Sequence, residues 1–164
     1  MFDSKGKLSL FRVSIIGAVI GGILIVGGIL TLNNDTNSRR TPLNIEPYVN
    51  AELWGAPTES GTRRTIFFRA RGATSEQVVA YYQEQLANFS DGERCVRTPA
   101  TGSIPIDPNV PNSIPYKYDC MFDRSGVNST QYTRVTIFPG VPSTDPFYDS
   151  SDSTVINYEQ VWQP

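Results

Sequence analysis

An uncharged apolar run near the N-terminus constrains this chain more than any other feature. The run covers residues 13–32, VSIIGAVIGGILIVGGILTL, and contains neither a charged residue nor a proline. At about 1.5 Å per residue, a helix of this length is roughly 30 Å long, which matches the hydrocarbon core of a bilayer. The run therefore predicts a single transmembrane helix, with the rest of the chain forming a domain on one side of a membrane.

A cleaved signal peptide is the alternative interpretation of the same run. The apolar region of a signal peptide is usually about 7–15 residues long and ends at a small-residue cleavage site. This run is longer and has no such site after it, which favours an uncleaved signal-anchor. Three basic residues precede the run, Lys5, Lys7 and Arg12, and two follow it, Arg39 and Arg40. Because positively charged flanks tend to stay in the cytoplasm, the positive-inside rule narrowly predicts a cytoplasmic N-terminus, residues 1–12. The expected location is the cell membrane, single-pass, with the C-terminal domain extracytoplasmic.

Three glycines lie on one face of the predicted helix. Gly17 and Gly21 form a G-x-x-x-G pattern, and Gly28 follows Gly17 by about three helical turns. A strip of small residues lets a second helix approach closely in lipid, so these glycines are candidate helix-packing residues. Glycine is also common in transmembrane helices without such a role.

Charge and composition exclude several classes of function. Residues 1–40 carry five Lys or Arg and two Asp, a net charge of +3, whereas residues 41–164 carry nine Lys or Arg and fourteen Asp or Glu, a net charge of −5. An acidic domain argues against nucleic acid as a partner. The chain has no histidine and no CxxC motif, which excludes a Ser-His-Asp triad, histidine-ligated zinc and c-type haem. We therefore predict no enzyme activity, no cofactor and no metal.

The remainder divides into a linker, residues 33–47, and a domain, residues 48–164. Polar residues and two prolines without an apolar period are typical of a linker. Within the domain, Thr74 and Gln77 form a capping box at the start of a predicted helix over residues 75–88. Alternating apolar residues predict strands, which are residues 65–70, 93–98, 116–123, 131–138 and 154–162. The predicted fold class is α+β, one transmembrane helix followed by one helix packed on an antiparallel sheet of about four to five strands.

The two cysteines, Cys95 and Cys120, fall on neighbouring predicted strands. A disulfide between them is the favoured interpretation, since an extracytoplasmic domain lies in an oxidising compartment. Two buried free thiols are the second interpretation. A redox-active pair is the third, and it lacks the CxxC spacing or the nearby cation that usually activates such a thiol.

Two loops contain candidate partner-contact residues. The first, residues 98–115, has five prolines and presents Ile104, Ile106, Val110 and Ile114. It either folds back on the domain or forms a semi-rigid arm that lays these residues on a partner protein. The second, residues 139–153, presents Phe147 and Tyr148, either tucked under the loop or exposed for contact. Its aspartates lack the spacing of a calcium loop and are read as solvated.

The segment RTIFFRARGATSEQVVAYYQEQLANF, residues 64–89, resembles small extracytoplasmic domains of bacterial single-span membrane-anchored proteins and lipoproteins. The resemblance implies an α+β domain with no assigned reaction. The single-span design also resembles accessory subunits of photosynthetic and respiratory complexes, such as the alternative complex III of filamentous phototrophs.

The predicted function is a non-catalytic accessory subunit of a multisubunit bacterial membrane complex, of an electron-transfer kind. Its expected partners are other membrane-protein subunits and the lipid bilayer. The alternative function is an extracytoplasmic ligand-binding or sensing domain, for which an aromatic-lined concave site is expected.

Overall fold

The computed structural model describes residues 21, 23–24, 37–90, 92–105, 113–126 and 129–163. The chain divides into two compact units, Met1–Ser38 and Arg39–Pro164. In the first unit the described residues are helical: Gly21, Ile23, Leu24, Asn37 and Ser38. The rest of the predicted span, including Gly17 and Gly28, lies outside the described residues.

The second unit is built from one helix and one antiparallel sheet. Its elements, in chain order, are β1 (Glu52–Leu53), β2 (Thr58–Ser60), β3 (Arg63–Arg71), α1 (Ser75–Phe89), β4 (Val96–Thr98), β5 (Lys117–Asp123), β6 (Tyr132–Pro139) and β7 (Ser153–Val161). The strand order is β1-β3-β7-β6-β5-β4, and β2 also pairs with β3.

The fold-class prediction needs two corrections. The described residues form seven strands rather than four to five, so this unit is mostly sheet. The additional strands β1 and β2 are two and three residues long with every side chain exposed, so alternation cannot reveal them. The second correction concerns the predicted transmembrane helix. No helix in the described ranges is long and apolar enough to cross a membrane.

Helix α1 begins at the predicted capping box. The Gln77 main-chain N–H donates to Thr74 Oγ1 over 3.3 Å, and the Thr74 N–H donates to Gln77 Oε1 over 2.9 Å. Val78, Tyr82 and Leu86 recur at helical spacing and are buried against the sheet. The core therefore lies between α1 and one sheet face, where it includes Ala70, Cys120, Phe122, Val135, Ile137 and Ile156.

Residues 41–48 cover the part of this sheet face beside α1. Ile45 is only 7 % exposed and belongs to the core. Buried polar side chains of the sheet donate to main-chain carbonyls of the segment: Gln160 Nε2 and Thr133 Oγ1 each lie 2.6 Å from the Leu43 oxygen. The compact unit thus begins at Arg39, so the second half of the predicted linker contributes to the domain.

Two buried tyrosines connect the segment to the core. The Tyr48 N–H donates to the Tyr82 hydroxyl over 2.9 Å, and the hydroxyls of Tyr82 and Tyr158 lie 2.8 Å apart. The Tyr158 hydroxyl donates to the Glu46 carbonyl over 3.2 Å. Burial raises the pKa of Tyr82 to about 12, and it raises the pKa of Tyr158 strongly as well.

Candidate functional site

An open cleft of about 390 Å³ lies on the sheet face opposite α1. We call it the aromatic cleft, because five of its eight lining residues are aromatic. Four separate parts of the chain meet there: the residue after β1, strand β3, the end of β6 with the segment that follows it, and the residue before Pro115. The lining residues are Trp54, Phe67, Ile114, Phe138, Val141, Phe147, Tyr148 and Ser150.

The register of the central strands shows which residues form the floor of the cleft. Ala70 faces α1, so its odd-numbered neighbours Phe67 and Arg69 face the opposite side. Val155 pairs with Arg69 on one side and with Phe138 on the other, so these three residues share that face. Val155 is fully buried although it faces away from the helix. The segment between β6 and β7 therefore packs over this end of the sheet.

That segment, residues 140–152, is tied to its own ends by main-chain hydrogen bonds. The Gly140 N–H donates to the Ser153 carbonyl over 2.9 Å, and the Ser150 N–H donates to the Val141 carbonyl over 3.2 Å. The Ser150 hydroxyl also accepts from the Val141 N–H over 3.1 Å. A Cβ at Gly140 would overlap the Ser150 carbonyl, so only glycine allows this approach.

Arg69 joins the two walls of the cleft. Its guanidinium carbon lies 3.7 Å from the centre of the Trp54 ring, and its Nη2 donates to the Phe147 carbonyl over 2.6 Å. Trp54 Nε1 donates to the same carbonyl over 3.1 Å. Burial and the charge of Arg71 lower the pKa of Arg69, although a guanidinium stays charged in proteins. Arg69 thus fixes Trp54 relative to the 140–152 segment.

Arg97 holds the base of the proline-rich loop. Its Nη1 and Nη2 donate to the carbonyls of Pro99 and Gly102 over 2.5 and 2.7 Å, and its guanidinium lies 4.5 Å from the centre of the Tyr116 ring. The Ile104 N–H donates to the Pro115 carbonyl over 2.7 Å. The two ends of the loop are therefore joined at its base.

The structure places four of the six predicted partner-contact residues. Ile114, Phe147 and Tyr148 all line the aromatic cleft, and Phe147 and Tyr148 are 58 % and 59 % exposed. Ile104 is 54 % exposed beside Pro115, next to the cleft. Ile106 and Val110 lie outside the described residues.

The cysteine pair forms a disulfide, as predicted, which joins the segment before β4 to β5. Cys120 is completely buried in the core.

In the first unit, a Cβ built on Gly21 meets no described atom within 4 Å. A helix-packing role for Gly17, Gly21 and Gly28 remains a prediction.

The aspartates of the second loop bond to main-chain groups. Asp145 Oδ1 accepts from the Phe147 N–H over 2.9 Å, and Asp149 Oδ1 accepts from the Ser151 N–H over 3.1 Å. The bond from Ser151 lowers the pKa of Asp149, so this carboxylate is ionised at neutral pH. In the described ranges, no three acidic or cysteine side chains converge to hold a metal ion.

Sequence reasoning missed most of the cleft. Alternation along the predicted strands 65–70 and 131–138 puts Phe67, Arg69 and Phe138 on the face opposite the core, but nothing in their spacing shows which strands lie side by side. For Leu53 and Trp54 the sequence indicates only a short first strand or an edge segment. The one available signal was the recurrence of aromatic residues at outward-facing strand positions, which is unusual for a solvated face.

Comparison of the chain with protein-family models, with curated proteins and with solved structures finds no match. The resemblance to membrane-anchored bacterial domains therefore remains a prediction.

Proposed function

We propose that this chain is a non-catalytic binding subunit that attaches to a partner protein through the aromatic cleft. The observation that carries the proposal is the convergence of Ile114, Phe147 and Tyr148 with Trp54 and Phe67 around one open, apolar concavity. Large exposed aromatic side chains are typical anchors of protein interfaces, because they bury much area at a low cost in conformational entropy.

The preorganisation of the cleft supports a binding role. Arg69, Gly140 and Arg97 hold the surrounding loops through main-chain carbonyls, so the cleft walls need little ordering when a partner docks. Binding to a prepared surface loses less conformational entropy than binding to a mobile one. Ile104, which is 54 % exposed and donates its N–H to the Pro115 carbonyl beside the lining residue Ile114, extends the apolar surface beyond the cleft.

The lining chemistry also favours contact over reaction. The Ser150 hydroxyl both accepts from and donates to the main chain of Val141, which leaves it a poor nucleophile. No described lining residue is an acid, a lysine or a cysteine. We propose further, from the sequence resemblance alone, that the partner belongs to a bacterial membrane complex in which this chain is an accessory subunit.

Co-purification of the full chain from its host in mild detergent tests the proposal. We expect a partner at fixed stoichiometry, and we expect the double variant Phe147→Ala/Tyr148→Ala to lower its recovery at least tenfold. Val49→Ala is the matched control, because Val49 is 62 % exposed and lies outside the cleft. A chain that purifies alone, or equal recovery from both variants, would contradict the proposed function.

A ligand-binding or sensing domain is the second candidate. The volume of the cleft, about 390 Å³, lies within the roughly 300–1,000 Å³ range of small-molecule sites. Under this function, an apolar compound should raise the melting temperature of the purified chain in a saturable manner, and Phe138→Ala should abolish the rise. The absence of any saturable shift across an apolar compound library would remove this candidate.

A further inference from the structure

We infer that the partner protein inserts two neighbouring, uncharged apolar side chains into the aromatic cleft. This inference rests on the proposed function and adds the chemistry of the group that enters. Two features of the described residues support it. The polar atoms around the cleft are paired within the chain or buried, and the cleft is larger than one side chain requires.

The polar atoms beside the cleft are bonded to one another. The Phe147 carbonyl accepts from Arg69 Nη2 and from Trp54 Nε1, over 2.6 and 3.1 Å, which uses both of its lone pairs. The Ser150 hydroxyl accepts from the Val141 N–H over 3.1 Å and donates to the Val141 carbonyl over 3.2 Å. Ser150 is only 2 % exposed, so its second lone pair is out of reach of a partner.

Two further polar atoms on this side of the sheet are closed to a partner. Arg69 Nε and Asn157 Oδ1 are buried, and neither has a hydrogen-bond partner among the described residues. Asn157 lies opposite the lining residue Phe67 in the strand register. The other lining hydroxyl belongs to Tyr148, which is 59 % exposed, so this group keeps its contact with water while the ring packs against a partner.

A charged or amide group would lose its hydration in the cleft without replacement. None of the eight described lining residues carries a charge, and the Arg69 guanidinium already lies 3.7 Å from the centre of the Trp54 ring. Burying a polar group without a hydrogen bond costs free energy, and burying an unpaired charge costs more. An apolar side chain avoids this cost and is stabilised by its removal from water.

The cleft has room for more than one side chain. Its volume is about 390 Å³, whereas an apolar cavity of about 150 Å³ holds a benzene-sized group. Side chains on one face of a partner strand or helix lie close enough to enter together. The partner is therefore expected to present two apolar side chains next to each other.

Short peptides test the inference on the full chain. The probe is Ac-Gly-Leu-Gly-Leu-Gly-NH2, and in the matched peptides both leucines are replaced by asparagine, lysine or glutamate. The reporter is the fluorescence of Trp54 in a Trp162→Phe background, since the chain has two tryptophans. We expect the leucine peptide to bind at least about tenfold more tightly than each of the others. Its binding should not weaken between about 0.05 and 0.5 M salt.

The number of side chains is tested by removing one leucine from the probe. Binding should weaken at least about threefold when one leucine becomes glycine, with the two leucines spaced two or four residues apart. If one leucine binds as tightly as two at both spacings, the cleft receives a single side chain and the inferred pair is wrong.

A matched pair of variants localises the preference for leucine. Val141→Thr adds a hydroxyl to the cleft wall at nearly constant shape and should lower the preference severalfold. Val49→Thr makes the same exchange at a position that is 62 % exposed and outside the cleft, and it should leave the preference unchanged. Equal or tighter binding of the asparagine, lysine or glutamate peptide, or no saturable response to the leucine peptide, would overturn the apolar occupant.

The two proposals fail separately. If partner recovery depends on Phe147 and Tyr148 but the polar peptides bind as tightly as the leucine peptide, the binding function stands and the apolar occupant is wrong. If partner recovery is independent of the cleft, the proposed function is wrong, and a preference for leucine then describes a site for apolar small molecules.

Discussion

Gly140 shows how one residue shapes the cleft. The chain turns off β6 at this position, where the Ser150 carbonyl comes too close for any side chain. The sequence contains thirteen glycines, and nothing in the local pattern PGVP distinguishes this one as a close-approach site. Only the folded segment shows which glycine cannot be replaced.

We predict that Gly140→Ala displaces the 140–152 segment and destabilises the chain by about 1–3 kcal/mol, because an added methyl group must push the Ser150 main chain away. Urea unfolding measures the loss, and Trp54 fluorescence should report the altered cleft wall. Thr144→Ala, at an exposed position of the same segment, is the control. An unchanged midpoint for Gly140→Ala would refute the close approach.

The raised pKa values of Tyr82 and Tyr158 predict how the free energy of unfolding changes at alkaline pH. Burial raises the pKa of Tyr82 from about 10 in the unfolded chain to about 12 in the folded one. The stabilisation from the neutral hydroxyls is therefore complete below pH 10 and is lost as the pH rises towards 12. We expect the free energy of unfolding to fall by roughly 2–3 kcal/mol over that interval.

Ultraviolet absorbance of tyrosinate measures this effect, with the chain's eight tyrosines as the total. The buried pair should ionise only when the chain unfolds. Tyr82→Phe should flatten the pH dependence, whereas Tyr132→Phe, at a half-buried position on β6, should not. Reversible ionisation of all tyrosines in the folded state would contradict the buried hydroxyl chain.

Among the elements, the strands with strong alternation and the capped helix were predictable. The faces of β3 and the start of α1 follow from local pattern and capping chemistry, which need no knowledge of the rest of the fold. Alternation does not predict strands β1 and β2, because their residues are exposed and their hydrogen bonds come entirely from pairing with β3.

The disulfide is the element-scale feature with the clearest test. Replacing Cys95 and Cys120 by alanine should destabilise the chain by about 3 kcal/mol, since the bond closes a loop with a sequence separation of 25 residues. Thermal unfolding with and without reductant measures the same effect in the unmodified chain. An identical melting temperature in both conditions would show that the bond does not constrain the unfolded state.

At the scale of the whole molecule, residues 41–48 complete the core. Residues 41–47 belong to the predicted linker and contain two prolines, but the segment's carbonyls accept hydrogen bonds from buried Thr133, Tyr158 and Gln160. Those polar side chains would be costly to bury without partners. The segment therefore satisfies the polar part of the sheet face that α1 leaves uncovered.

We predict that Ile45→Ala destabilises the compact unit by about 2–4 kcal/mol, because Ile45 packs in the core. Asn44→Ala, at the neighbouring exposed position, should change stability by less than about 0.5 kcal/mol. Urea unfolding of the full chain distinguishes the two variants. Equal midpoints would mean that residues 41–47 behave as the linker that their composition suggests.

The sequence alone determined the properties that depend on local chemistry: the capped helix, the inward faces of the long strands, the cysteine pair and the absence of histidine chemistry. Tertiary structure alone decided which residues distant in the sequence are in contact. It brought Trp54, Phe67, Phe138 and Phe147 to one concavity and set Ile45 in the core. The physical reason is that sheet order and loop packing arise from contacts between residues far apart in the chain, which periodicity does not record.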